Sequence, residues 1–350
     1  MKYFESNVIT TDFTVKQALE KLSDFTTKSD LTLFVLDKAN KIAGTLTDGD
    51  IRRGLLAGKD INQQVTSFMN PNFKFLKKGN FVWNEVEEIK KLDIGLIPML
   101  DDDNRILKII DLTKKKSLLP LDAVIIAGGV GQRLRPLTNE IPKPMLPVGD
   151  RPIIERNVDR LVTYGIENVF ISVNYLADKI ENHFGDGKAK DTRISYIHEK
   201  EALGTIGALS LIENHEHSTL LVMNSDLLTN IDFEDFYKEF VTKDADMAVA
   251  SVPYNVSVPY AVMEIHNDRI ISLQEKPSYT FQSNAGIYLI KKEIADLIPK
   301  NSFYNATDLM EQVIRLNKKL IYYPLLCYWL DIGSHIDYAK AQEDIKHINF

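Results

Sequence analysis

Hydrophobic positions along this chain change period several times, and each change marks an element. Near the start, Val15, Ala18, Leu19 and Leu22 fall on one helical face. Two short apolar runs follow at 31–36 and 42–46, the form expected of buried strands. Asp48-Gly49-Asp50 then opens a second helix carrying Ile51, Leu55 and Leu56, which Gly58 stops. A weaker copy comes next: a strand-like 73–76, a helical 85–92, and strands at 96–100 and 105–110 around the turn Asp101-Asp102-Asp103-Asn104. Recurrence of the strand-strand-helix order at about 60 residues predicts an internal duplication rather than two unrelated pieces.

Lys114-Lys115-Lys116-Ser117, with Pro120 just after, interrupts this pattern and reads as a solvated linker. The domains are therefore expected at 1–118 and 119–350. In the second, apolar runs at 121–127, 169–173, 194–197, 220–223, 247–252, 261–265, 270–274 and 285–290 alternate with helical stretches. One of those helices, 153–164, turns Ile154, Val158 and Leu161 inward and ends at Gly165. The pattern predicts an α/β fold: a Rossmann-like domain with a mixed, mainly parallel sheet, preceded by a smaller paired αβ domain.

Composition narrows the partners. The 350 residues suit two or three domains at roughly 150 residues each. Lys and Arg total 42 against 49 Asp and Glu, a formal charge of −7 that supplies no excess to neutralise a nucleic acid. A single cysteine, Cys327, excludes a disulfide framework or a cysteine-rich zinc site. Residues 1–5 lack the apolar core of a secretory signal, and the apolar run 320–330 is too short to span a bilayer and contains Pro324. A cytoplasmic protein without membrane contact is expected.

The segment Ala127-Gly128-Gly129-Val130-Gly131-Gln132-Arg133-Leu134-Arg135-Pro136 follows a strand and precedes a helical stretch. Glycines there leave room for a phosphate to approach backbone N–H groups. It is not a P-loop, which needs Gly-Lys-Ser/Thr, nor a dinucleotide fingerprint, since Leu134 stands where the third glycine belongs. Taken alone it is equally a glycine-rich turn. Lys143-Pro144-Met145-Leu146-Pro147 comes next, and with it the chain resembles the sugar-nucleotidyltransferase (NDP-sugar pyrophosphorylase) family. Further stretches are similar in the same order: Leu203-Gly204-Thr205, Asn224-Ser225-Asp226, Glu275-Lys276-Pro277, Asn284-Ala285-Gly286 and Trp329-Leu330-Asp331.

The resemblance implies attack by a sugar 1-phosphate oxygen on the α-phosphorus of a nucleoside triphosphate, with pyrophosphate leaving. A phosphate is already ionised at neutral pH, its second pKa being about 6, so cations rather than a general base are needed. Arg133 and Lys143 are the implied phosphate-handling cations, and Asp226 and Asp331 the implied Mg²⁺ ligands and catalytic pair. Both aspartates end strand-like runs, and ends of parallel strands share one rim. The resemblance places the nucleotide on Ala127, Gly128, Gly129, Gly131, Glu199, Gly204 and Thr205, and the sugar phosphate on Asn174, Glu275, Lys276 and Asn284. Glu199 only accepts hydrogen bonds, and guanine presents two adjacent donors, so GTP is the expected nucleotide. Many relatives carry glycine where this chain has Ala261, which leaves the sugar open.

In the front domain, Gly44-Thr45-Leu46-Thr47-Asp48-Gly49-Asp50 resembles the end of a CBS motif, with Thr47 and Asp50 as the implied contacts to an adenine nucleotide. The second copy, Ile109-Ile110-Asp111-Leu112-Thr113, lacks that pattern. A CBS-domain pair serves regulation or oligomerisation, and a homo-oligomer is expected. The fusion also resembles guanylyltransferases that activate glucosamine 1-phosphate toward legionaminic acid, and enzymes of surface-polysaccharide assembly. Mannose or heptose 1-phosphate, or thymidylyl and uridylyl transfer, are alternatives; a non-catalytic nucleotide-sensing regulator is the alternative of another class.

Overall fold

The computed structural model describes residues 6–25, 31–78 and 83–348. Residues 1–5, read for a leader, lie outside them. The chain divides into two compact units, Met1–Leu118 and Leu119–Phe350.

The front unit builds one topology twice. Its elements are β1 (Val8–Thr10), α1 (Val15–Ser23), β2 (Thr32–Leu36), β3 (Ile42–Thr47), α2 (Asp48–Leu56), β4 (Leu76–Lys77), α3 (Trp83–Lys91), β5 (Leu96–Leu100) and β6 (Ile106–Asp111). In each copy a short first strand pairs in parallel with the second, and the third returns antiparallel. The first strand of each copy is the part the hydrophobic pattern hid: β1 is too short to register as a run, and the expected 73–76 strand is only Leu76–Lys77. Val15, Ala18 and Leu22 of α1 pack on Leu33, Val35 and Leu46. Thr14 with Gln17, and Thr47 with Asp50, form capping boxes that satisfy orphan N–H groups where α1 and α2 begin.

The second unit continues with β7 (Asp122–Ile126), β8 (Pro147–Val148), β9 (Arg151–Pro152), α4 (Ile153–Thr163), β10 (Asn168–Val173), α5 (Ala177–Phe184), β11 (Arg193–His198), β12 (Thr219–Asn224), β13 (Leu227–Thr229), α6 (Phe233–Thr242), β14 (Met247–Ser257), β15 (Val262–His266), β16 (Arg269–Gln274), β17 (Ser278–Lys291), α7 (Lys292–Ala295), α8 (Ala306–Arg315), β18 (Leu320–Pro324), β19 (Trp329–Asp331) and α9 (His335–Asp344). Its seven-stranded sheet has the order β11-β10-β7-β12-β17-β14-β18. β17 runs against both neighbours and every other pair is parallel, so the sheet is mixed and mainly parallel.

Ala123, Val124 and Ile125 of the central β7 are fully buried, as in a sheet covered on both faces. The charged residue that opens this strand is explained by its partners. Asp122 accepts the backbone N–H of Glu216 and of His217, the His217 ring and the Asn168 amide. Burial pushes its carboxyl up, but the bonds from His217 and Asn168 outweigh it and hold it below the usual carboxylate value.

β14 and β17 outrun the sheet. β18 accompanies β14 only as far as Ser251, and β12 accompanies β17 only as far as Ile287. Beyond them, Val252–Ser257 pairs among the described residues with Ser278–Ser283 alone, as a two-stranded arm. The β15–β16 hairpin closes the loop between those two strands.

Candidate active site

The end of β7 opens a cleft of about 470 Å³. Ala127 is anchored there, its N–H donating to the Ser172 carbonyl at 3.1 Å. The chain then turns through Gly128 to Gly131. Gly131 holds φ at +67°, and a Cβ on it would stand 2.9 Å from the Cβ of Lys143. The turn is braced by the Thr138 hydroxyl, which donates to the Gly131 carbonyl at 2.9 Å. Gly129 has open space where a side chain would go.

No α-helix starts directly after this loop, contrary to the sequence expectation. The loop leads into a single 3₁₀ turn, Gln132–Leu134, and a second at Lys143–Met145; the first α-helix after it, α4, starts only at Ile153. No helix macrodipole points at the cleft from this loop, so anion binding there falls to backbone N–H groups and to the cations. Arg133 lines the cleft with its guanidinium beside Gly333.

Asp226 is fixed by two backbone–backbone bonds and one from a side chain. The Ser225 N–H donates to Ile126 at 3.1 Å, the Asn157 amide on α4 donates to the Ser225 carbonyl at 3.2 Å, and the Ile332 N–H donates to the Asp226 carbonyl at 3.1 Å. Asp331 reaches the same place by another route than a shared sheet rim. It ends β19, which is outside the main sheet and pairs antiparallel with β13, setting Leu227 opposite Asp331. The Trp329 indole ties that ladder to β17 by donating to the Ala285 carbonyl at 2.9 Å.

Lys143 sits between the two carboxylates. Its ammonium bonds Asp226 Oδ2 and lies 3.9 Å from Asp331 Oδ1. Lys143 and Asp226 are only 13% and 17% exposed. Asp331 is 43% exposed as a side chain, yet its Oδ1, like Asp226 Oδ1, is buried without a hydrogen-bond partner. Burial, then the Asp226 charge, push the Asp331 carboxyl up, against the pull of Lys143 and Arg133. Two inward, unsatisfied carboxylate oxygens with cations around them have the chemistry to hold a divalent metal together with phosphate oxygens.

Beside the cleft, Gly128 faces Glu199 Oε1, and the Asn174 amide donates to the Glu199 carbonyl at 3.0 Å. Glu199 is buried and its Oε2 accepts the Leu203 N–H at 3.0 Å. Gly204 and Thr205 line the cleft. The glycine is also required by packing: φ is +78°, and a Cβ would come 2.6 Å from the Tyr304 carbonyl. The Thr205 hydroxyl accepts the Ala306 N–H at the start of α8.

Other expected residues are not brought here. Glu275 and Lys276 stand exposed beyond the β16 end of the arm, as does Ala261 before β15. Asn284 lies where the arm meets the sheet; its amide donates to the Tyr288 hydroxyl and its carbonyl accepts the Gly286 N–H. In the front unit, Thr47 and Asp50 are engaged with each other, and Arg53 pairs with Asp50 at 2.5 Å. Sequence reasoning missed Gln132, Asn224 and Gly333, which line the cleft, and Thr138, which braces its glycine turn. Each is a motif residue or an immediate neighbour of one, so adjacency was the available clue.

Residues 122–348 match the family Nucleotidyl transferase. The chain belongs to this family. Among relatives of this nucleotidyl transferase is the D-glycero-α-D-manno-heptose 1-phosphate guanylyltransferase of Aneurinibacillus thermoaerophilus, 31% identical over 232 residues, which cover 65% of this chain and 99% of that protein. A UTP–glucose-1-phosphate uridylyltransferase of Synechocystis is 30% identical over 241 residues, covering 63% of this chain and 62% of that protein. Among solved structures, HddC from Yersinia pseudotuberculosis complexed with GMP-PN superposes with a TM-score of 0.51 at 27% identity, covering 64% of this chain and 99% of that one. Among the described residues no helix is long and apolar enough to cross a membrane.

Proposed function

We propose that this nucleotidyltransferase moves a guanylyl group from GTP to a hexose or amino-sugar 1-phosphate, glucosamine 1-phosphate being favoured, and releases pyrophosphate. The observation that carries the reading is the convergence of Arg133, Lys143, Asp226 and Asp331 around one glycine-walled cleft. The sugar 1-phosphate oxygen attacks the α-phosphorus in line and needs no base. Arg133 grips phosphate oxygens bidentately with a permanent charge. Lys143 neutralises the α-phosphate or the departing pyrophosphate. Lys276 and Glu275 are assigned to the sugar phosphate and sugar hydroxyls, a role that requires the arm to approach the cleft.

Mg²⁺ fits the donor set. Asp226 Oδ1 and Asp331 Oδ1 are buried and unsatisfied, and hard carboxylate oxygens suit this ion. Among the described residues no group of three His, Cys, Asp or Glu could hold a metal, so these two would hold it together with substrate oxygens and water. When bound it supplies positive charge against the triphosphate.

Base choice rests on Glu199, whose acceptor-only carboxylate suits the paired donors of guanine. Guanylyltransferases and uridylyltransferases both occur among the relatives, so family membership leaves the base open and Glu199 is the residue assigned to choose it here. For the front unit, a CBS-like pair acting in assembly or binding an adenine nucleotide, and a cytoplasmic homo-oligomer, complete the reading. The capping box that engages Thr47 and Asp50 favours assembly over ligand binding.

The test is a matrix of nucleoside triphosphates against hexose 1-phosphates with pyrophosphate detection. GTP with glucosamine 1-phosphate is expected to give the highest kcat/KM. A clear preference for dTTP or UTP overturns the role of Glu199, and no pyrophosphate from any pair overturns catalysis in favour of a sensor.

A further inference from the structure

We propose that the arm built from β14, β17 and the β15–β16 hairpin is a surface through which two copies of this chain associate. The register makes the ribbon two-faced. Tyr254 pairs with Phe281 and Val256 with Tyr279, all on one side, while Asn255 with Thr280 and Ser257 with Ser278 line the other. The hairpin repeats this: Met263 opposes Leu273 and Ile265 opposes Ile270 on one face, with Glu264 and Ser272 paired on the reverse. The apolar members stand in solvent, from 38% exposed at Tyr279 to 65% at Ile265. An amphipathic ribbon normally turns its apolar face onto a core, and here none of the described residues of its own unit covers it.

Area and charge choose the occupant. The exposed apolar side chains of the arm offer on the order of 1,000 Å², against about 800 Å² per partner in a standard-size interface. Segment 253–282 carries Arg269 and Lys276 against Glu264, Asp268 and Glu275, so it is almost neutral in a chain of charge −7. A two-fold contact sets the same patch against itself, and a near-neutral patch meets its copy without repulsion. A lipid surface is disfavoured, because anionic membranes select clustered Lys and Arg that this face lacks. Among the described residues of its unit both edges of the ribbon are also open, so backbone pairing can add to the side-chain contact.

The experiment compares the full chain with Phe281→Glu combined with Ile265→Glu, on the apolar face, and with Thr280→Glu, on the polar face. Sedimentation over a concentration series is the first readout. The apolar-face variant is expected to halve the assembly mass, with at least about 100-fold weaker association, while Thr280→Glu keeps the parent mass. Hydrogen exchange of the unaltered chain is the second readout and needs no variant: amides of 253–282 are expected to gain protection as concentration rises. Unchanged mass in both variants, equal loss in both, or concentration-independent exchange across 253–282 overturns the proposal. So does binding of the parent chain to phosphatidylcholine–phosphatidylglycerol vesicles that the apolar-face variant abolishes with its mass unchanged, since that outcome assigns the face to lipid.

Discussion

At the end of β7, Lys143 and Asp226 are walled in and bonded to each other, held by links from β7, α4 and the β13–β19 ladder. On the arm, Glu275 and Lys276 belong to an equally specific motif, yet they stand in solvent on a ribbon that the described residues of its unit support along neither edge. The difference is one of preorganisation. The cleft groups already hold their relative positions, whereas the role proposed for the arm groups requires a segment to move or to be ordered by contact.

Substitutions test that contrast, the largest effect first. Asp226→Asn is expected to lower kcat/KM by about 10³-fold or more, because the proposed chemistry places that charge at the reacting phosphate. Asp331→Asn is expected to lose comparable activity without loss of stability. Burial and the neighbouring Asp226 raise the Asp331 carboxyl, so its charge opposes folding above the unfolded-state value, and the neutral amide removes that penalty. Thermal unfolding of chelated, substrate-free protein at neutral pH checks this; a variant Tm several degrees below the parent contradicts it.

Two glycines of one loop separate fold from function. Gly131→Ala must relieve a positive φ and a contact with Lys143, and is expected to cost activity about 100-fold together with a lower Tm. Gly129→Ala meets open space and is expected to weaken nucleotide binding about 10-fold at an unchanged Tm. The smallest effect belongs to the arm. Lys276→Ala is expected to raise the KM for the sugar 1-phosphate about 10-fold and to leave kcat within about 3-fold. A kcat loss equal to that of Asp226→Asn would show that the arm is as preorganised in turnover as the cleft, and would erase the distinction.

The legible parts of this chain were those with short-range logic. The central strands were readable because residues buried on both faces form unbroken apolar runs, as in 123–125. The glycine loop and the cationic positions were readable because the family motif is local in sequence. The arm was not: its strands alternate like half-buried ones, and alternation does not say whether the apolar face finds a cover. The route of Asp331 was also hidden, since a three-residue strand in a separate ladder leaves no periodicity. Gly204 carried a motif meaning while Tyr304, which makes it necessary, lay far away in sequence.

That ladder has a consequence for how the enzyme comes into being. Thr229 bonds the carbonyl of Tyr328 across a separation of 99 positions, and the same ladder delivers Asp331. Contacts of such long range close late, after the helices and the parallel strands upstream have condensed. A nascent chain lacking β19 therefore has its glycine loop and Asp226 but only half of its carboxylate pair. The cleft is therefore expected to be complete only once β19 has paired with β13.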